Sequence, residues 1–284
     1  MRTAFNIIRA DFVKWLRSDK QLVTAFAFIC FYMYVLDPIS ICSDNLGEPI
    51  NLLEPFLVIL GNGFCIPIVL IAFVVLMIDF PDISGNTTFL LLRSGRMKWY
   101  RSQILFITLA SIIFILAIFI FSSLASMSNA FLANVWSNEA KLMSSPQYEE
   151  LRIEYPLAVL DMSVINNYSI ITAFIYAVVL MILHLIFTAQ LQMVLSLRFN
   201  KIIGICGNLI VLGFGLVLWA AENNLKWLFP FANSTIGWHY DELYNKTEFP
   251  ILLSLIYMII INIIMYFAGK KVISKKMLTL LCQN

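Results

Sequence analysis

The sequence is poor in charge. Only 13% of its 284 residues are Asp, Glu, Lys or Arg, while 61% are hydrophobic; a soluble domain carries about twice that charge. A chain of this length folded in water needs a charged surface that these residues cannot supply, so lipid has to cover much of it. Histidine is scarce as well: His184 and His239 are the two in the chain, which leaves acid–base chemistry few candidates. No GxxxxGK[ST], HExxH or GxSxG occurs, so the patterns of P-loop hydrolysis, zinc proteolysis and the serine nucleophile elbow are missing. The five cysteines (Cys30, Cys42, Cys65, Cys206 and Cys282) form no CxxC pair. Only Cys42 falls in a segment expected outside the cell, which excludes an exofacial disulfide within the chain. Glu149, Glu150 and Arg152 are charged neighbours, best taken as a solvated loop face. The expectation is therefore no enzyme, no metal and no cofactor held by this chain, and no nucleic-acid partner.

Long apolar runs are what the sequence has instead. Six stand out, at about 21–36, 56–78, 104–125, 168–197, 202–221 and 250–268. A helix needs about 20 residues to cross the hydrocarbon core; the first run is short and is expected to borrow residues from the helix before it. Charge fixes the orientation. Fifteen of the 19 basic residues precede the first run, separate the second from the third and the fourth from the fifth, or follow the sixth. The exceptions are Lys141, Arg152, Lys226 and Lys246. The positive-inside rule then places both termini in the cytoplasm. The expected fold class is an all-α polytopic membrane protein of the cell membrane: residues 1–20 as a cytoplasmic amphipathic helix and 21–284 as a six-span domain. The cytoplasmic 79–101 segment joins spans two and three, and the large outside loops are 126–167 and 222–249.

Four features are candidates for function. Phe5, Ile8, Phe12, Trp15 and Leu16 recur at three- and four-residue steps among Arg2, Arg9, Lys14 and Arg17, the pattern of a helix lying on the inner leaflet. That helix is either a plain anchor or an elbow that also leans on a partner. In 79–101, Phe89, Leu90, Leu91 and Leu92 form an apolar knot outside the bilayer, followed by Arg93, Arg96 and Lys98; it must bury against the membrane surface or a groove on a soluble protein. Within the runs the polar residues are uncharged: Asn62, His184, Gln190, Gln192, Asn208 and Asn262. Missing Asp, Glu, Lys and Arg argue against an ion-coupled carrier. The amides are interhelical hydrogen-bonders, with a translocation path lined by Asn62, Asn208 and Asn262 as the functional alternative. Finally, Gly61, Gly63 and Pro67 suggest a kink or close packing in the second run.

The basic helix IIRADFVKWLRSDK, the cytoplasmic segment DFPDISGNTTFLLLRSGRMKWYRSQ, the short turn RFNK and the outer WLFPFANSTIGW together resemble the six-span permease subunits of bacterial ABC-type exporters, the class whose ATPase is a separate chain. The resemblance implies an elbow helix anchored by Phe12, Trp15 and Leu16. It implies a coupling helix at about 85–96 whose Phe89, Leu91 and Leu92 enter a cleft of the ATPase, with Arg93 and Arg96 as polar rim. It also implies two ATPase subunits carrying ATP and Mg, a second permease copy or paralogue, a membrane-lipid environment, and export of an amphipathic peptide, lipid or drug. The long 126–167 loop departs from that pattern. A non-transporting immunity or sensor protein, binding a peptide or toxin through its outside loops, is the competing expectation.

Overall fold

The computed structural model describes residues 2–82, 94–145, 153–241 and 246–281, with the side chains of 2–4 and 275–281 left aside. Apart from one pair of two-residue strands and a single bridge, the regular structure of these residues is helical. Helix α1 (Arg2–Leu16) is followed by α2 (Gln21–Phe31), which runs through a π-turn at Tyr32–Leu36 into α3 (Asp37–Leu46). Strand β1 (Ile50–Asn51), α4 (Glu54–Gly61) and α5 (Cys65–Leu76) come next, then α6 (Arg96–Ser126) and β2 (Ala130–Phe131). Short helices α7 (Asn138–Ser144) and α8 (Met162–Asn167) precede the long α9 (Ile170–Arg198) and α10 (Lys201–Ala220). A small helix α11 (Pro230–Ser234) leads to α12 (Ile251–Leu281).

Among the described residues, five helices or continuous helical segments are long and apolar enough to cross a membrane, and the α4–α5 pair makes a sixth if its two halves count as one span. The first segment is Gln21–Leu46. It therefore gains length on its far side, through Asp37–Leu46, and does not borrow from α1, which ends before the turn at 17–20. Pro38 is tolerated because it sits in the first turn of α3 beside the π-turn, where its missing N–H is least costly. Gly47, at φ +66, closes the helix in the left-handed conformation that glycine adopts freely. Likewise α6 begins at Arg96, so Arg96, Lys98 and Arg101 occupy its first turns and not a loop.

The second run does not form a straight span. Helices α4 and α5 meet at 80° across Asn62–Phe64. Asn62 makes this break affordable. Its carbonyl accepts from Cys65 N and Ile66 N, its Oδ1 accepts from Phe64 N at 2.8 Å, and its amide donates to Pro156 O and Val159 O, each at 2.8 Å. Asn62 thus supplies partners for the Phe64, Cys65 and Ile66 N–H groups freed by the bend, as a buried backbone requires. Gly63 lies against the Trp238 ring, where any Cβ would collide.

The bent pair connects the two ends of the bundle. Before α4, β1 pairs in parallel with β2, with Ile50 opposite Ala130. After α5, Asp79 is ion-paired with Lys20 and lies 3.8 Å from Lys201. One end therefore gathers the 17–20 turn, residues 79–82, the start of α6 and the α9–α10 turn. The other gathers 46–62, 126–145, 153–167, 222–241 and 246–249 as a cap. Helix α9 is the central post: α4, α5, α6, α10 and α12 all pack on it. Helices α10 and α12 leave most of their apolar surface open, only 22% and 17% of their most apolar windows being buried, so these are the faces that lipid or another chain must cover.

Candidate functional site

At the end carrying the basic residues, α1 lies across α6 through one aromatic cluster. Phe12 meets Phe106 edge-on at 4.9 Å between ring centroids, Trp15 meets it at 6.3 Å, and Phe80 approaches the same ring at 5.3 Å. Gln103 of α6 donates to the Asp11 carboxylate at 2.8 Å. Burial pushes the Asp11 carboxyl up, against the pull of that amide. The inward face of α1 is thus Ile7, Asp11 and Trp15 with Phe12 beside them, whereas Phe5 and Leu16 are exposed. Of the three expected anchors, Phe12 and Trp15 pack on α6 and Leu16 does not.

Ion pairs tie this helix to the segment that follows α5. Lys14 pairs with Asp82, and Lys20 with Asp79, whose carboxyl is held below its usual range by the Lys20 bond. Residues 79–82 are thus fastened to the helix–turn before the first span, to the α9–α10 turn through Lys201, and to α6 through Phe80. Of the expected coupling residues, Phe89, Leu91, Leu92 and Arg93 lie outside the described residues. Arg96 is half-buried in the first turn of α6.

The three amides considered for a path are not brought together. Asn62 bonds to the cap. Asn208 on α10 donates to Thr188 O at 3.1 Å and to Gln192 Oε1 at 3.4 Å. Asn262 on α12 donates to Leu183 O at 3.0 Å and accepts from Gln190 at 3.4 Å. Thr188 and Gln192 share one face of α9, and Gln190 points about 160° away from Thr188, so Asn208 and Asn262 grip opposite sides of the post. Gln192 also reaches Met77 O on the far side of α5 at 2.5 Å. His184 bonds Ser234 at 2.8 Å. Among the described residues, no group of three His, Cys, Asp or Glu is placed to hold a metal ion.

No family model, no curated protein and no solved structure matches this chain. The geometry therefore has to carry the functional argument unaided.

The cap holds polar groups that sequence reasoning did not single out. Glu54 accepts from Ser137 N at 2.6 Å, from Ser137 Oγ at 2.7 Å and from Asn51 N at 2.9 Å. Asn51 in turn donates to Ala133 O and Val135 O, at 2.6 and 3.0 Å. Glu139 is buried close by; burial, with the Glu54 charge second, pushes its carboxyl up to about 8. Its Oε1 has no donor. Beside α11, His239 Nε2 lies 2.9 Å from Ser254 Oγ, which donates to Asn233 Oδ1 at 2.8 Å. Burial pulls the His239 imidazole down to about 4. The one sequence signal was the placement of Glu54 before Pro55 at a helix start, where an acid is favoured. A cavity of about 700 Å³ in the cap is walled by Trp219, Trp227, Trp238 and Tyr240 together with Asp161, Glu222, Asp241 and Glu248.

Proposed function

We propose that this chain crosses the cell membrane six times with both ends in the cytoplasm, and that it is the permease subunit of an ABC-type exporter powered by a separate ATPase chain. The membrane part is supported by the apolar helices and by the grouping of basic residues at one end. The α4–α5 pair starts beside Ala130 and finishes beside Lys20, so counting it as one broken crossing returns the chain to the basic end. The path of α12 agrees: Ser254 sits in the cap, and the carbonyl of Tyr266 accepts from Tyr100 near the start of α6.

The observation that supports coupling to a motor is the fastening of residues 79–82. A push on a loop moves the spans only when the loop is joined rigidly to them, since a solvated segment absorbs displacement. Here Asp79 joins the approach to the first span with the start of α10, and Phe80 sits on α6. An ATPase pressing on 85–96 would thereby move three spans at once. The chain's own role is mechanical: it receives the stroke and opens a path, while ATP and Mg belong to the partner.

The test is purification in mild detergent followed by identification of the soluble chain that accompanies it. An ATPase is expected. Leu91→Asp and Arg96→Glu are each expected to abolish its co-purification while membrane insertion stays intact; normal co-purification with both variants would remove the coupling assignment. One observation favours a second reading, an immunity or sensor protein: the aromatic and acidic cavity in the cap suits a cationic, amphipathic peptide arriving from outside. No ATPase partner together with peptide binding would favour that role.

A further inference from the structure

Between α1, the end of α5 and the start of α6 lies a cavity of about 990 Å³. Its floor is apolar, made by Trp15, Leu76, Phe80 and Phe106, and its rim carries Arg9, Lys14, Arg17 and Lys20. The polar groups divide unevenly between engaged and free. Lys14 and Lys20 are spent on Asp82 and Asp79, and Asp11 accepts from Gln103. Arg9 and Arg17 have no carboxylate within ion-pair reach among the described residues. Trp15 is only 8% exposed, and its indole N–H has no acceptor among the described residues. An orphaned buried N–H is uncommon and costly. Asp19 is the remaining carboxylate at the rim and is exposed. The four carboxylates of the lining thus balance its four cations in number, and what is left over is two exposed guanidiniums and one buried indole N–H with no acceptor among the described residues.

We propose that this cavity binds the phosphate of an anionic phospholipid from the inner leaflet, with Arg9 and Arg17 on the headgroup and Trp15 donating to an ester or phosphate oxygen. Arg9 lies in α1 and Arg17 immediately follows its last residue, so at the helical rise their backbones are roughly 12 Å apart, a distance that two extended guanidinium side chains reach across to share one phosphate. Guanidinium is the group best suited to phosphate oxygens. The apolar floor distinguishes a lipid from a free anion, because it gives the first acyl carbons somewhere dry to lie. The inference rests on the membrane embedding proposed above and is independent of the ATPase assignment. Its consequence is a lipid wedged beside Asp79 and Asp82, where the elbow helix and the loop after α5 are fastened together.

The experiment uses the full chain, delipidated in detergent and followed by native mass spectrometry. The probes are dioctanoyl phosphatidylglycerol, dioctanoyl phosphatidylcholine and inorganic phosphate. One phosphatidylglycerol per chain is expected, in preference to phosphatidylcholine. Arg9→Gln and Arg17→Gln should each weaken it about fivefold, the factor given by the ~1 kcal/mol per cation typical of anionic surfaces. Trp15→Phe, which removes the N–H and keeps an aromatic ring, should also weaken it. Lys98→Gln, a basic change outside the cavity, should leave it unchanged. Retention unaffected in the Arg9→Gln, Arg17→Gln double variant would overturn the site as adventitious lipid. Displacement by inorganic phosphate at equal concentration would overturn the lipid assignment in favour of a free anion. Recovery of the chain from the soluble fraction without detergent would instead strike at the membrane embedding.

Discussion

The two ends of the molecule are held together by opposite means. At the basic end the joints are exposed: Lys14 and Lys20 are 63% and 35% exposed in their pairs with Asp82 and Asp79. At the cap the joints are buried: Asn51, Ser137 and Glu54 are each no more than 3% exposed, and Asn233 and His239 are fully enclosed. Exposed pairs are worth about 0–1 kcal/mol and can be made and broken cheaply. Buried networks rigidify what they join, because removing one member strands the others without water. The cap is held by buried polar groups, whereas the basic end combines the packing of Phe12, Trp15 and Phe80 on Phe106 with exposed ion pairs that add alignment more than stability.

Removing the Glu54 carboxylate should break the contrast most severely. Glu54→Ala leaves Ser137 N, Ser137 Oγ and Asn51 N without their acceptor. A loss on the order of 3 kcal/mol is expected, at about 1–3 kcal/mol per stranded group with partial relief from entering water. The measurement is the thermal unfolding midpoint in detergent; an unchanged midpoint would show that the network is not what holds the cap.

Next in size is a pH effect in the same place. The Glu139 carboxyl, normally near 4.5, sits at about 8 in the folded cap. The folded state therefore keeps a proton that the unfolded chain gives up, and the stabilisation is full below about 4.5 and lost as pH rises through about 8. Glu139→Gln should accordingly unfold at a higher temperature than the parent at pH 8, with the gap closing at pH 5. His239, held down to about 4, acts in the opposite sense, costing stability as pH falls from its ordinary value toward 4. Its effect is common to both proteins and cancels in the difference.

The smallest effect belongs to the inner end. Lys20→Ala should cost under about 1 kcal/mol, read by the same unfolding assay. If the fastening matters to coupling, that variant should lose stimulation of the partner ATPase while keeping its stability. A loss of stability as large as that of Glu54→Ala would erase the distinction between the ends.

Much of the architecture could be read from composition. Runs of apolar residues and the asymmetry of Lys and Arg follow from how water and lipid treat single side chains, so they survive without any knowledge of neighbours. The kink in the second run was legible too, from Gly61, Gly63 and Pro67. Its size was not, because the 80° bend depends on carbonyls of Pro156 and Val159 arriving from about 95 positions away. Periodicity found the apolar face of α1, yet whether Leu16 or Ile7 turns inward is settled by where Phe106 and Gln103 sit on α6.

The sequence alone determined that this is a helical chain with several runs apolar enough to cross a membrane and its basic residues grouped between alternate runs, since hydropathy and charge are properties each residue carries by itself. Tertiary structure alone decided that Asn208 and Asn262 hold opposite sides of α9, that Glu54 and Glu139 share a dry cap, and that Trp15 closes a cavity with its N–H unanswered. Those are facts about distances between residues far apart in the chain, and a one-dimensional pattern carries no record of which distant groups will be left facing one another.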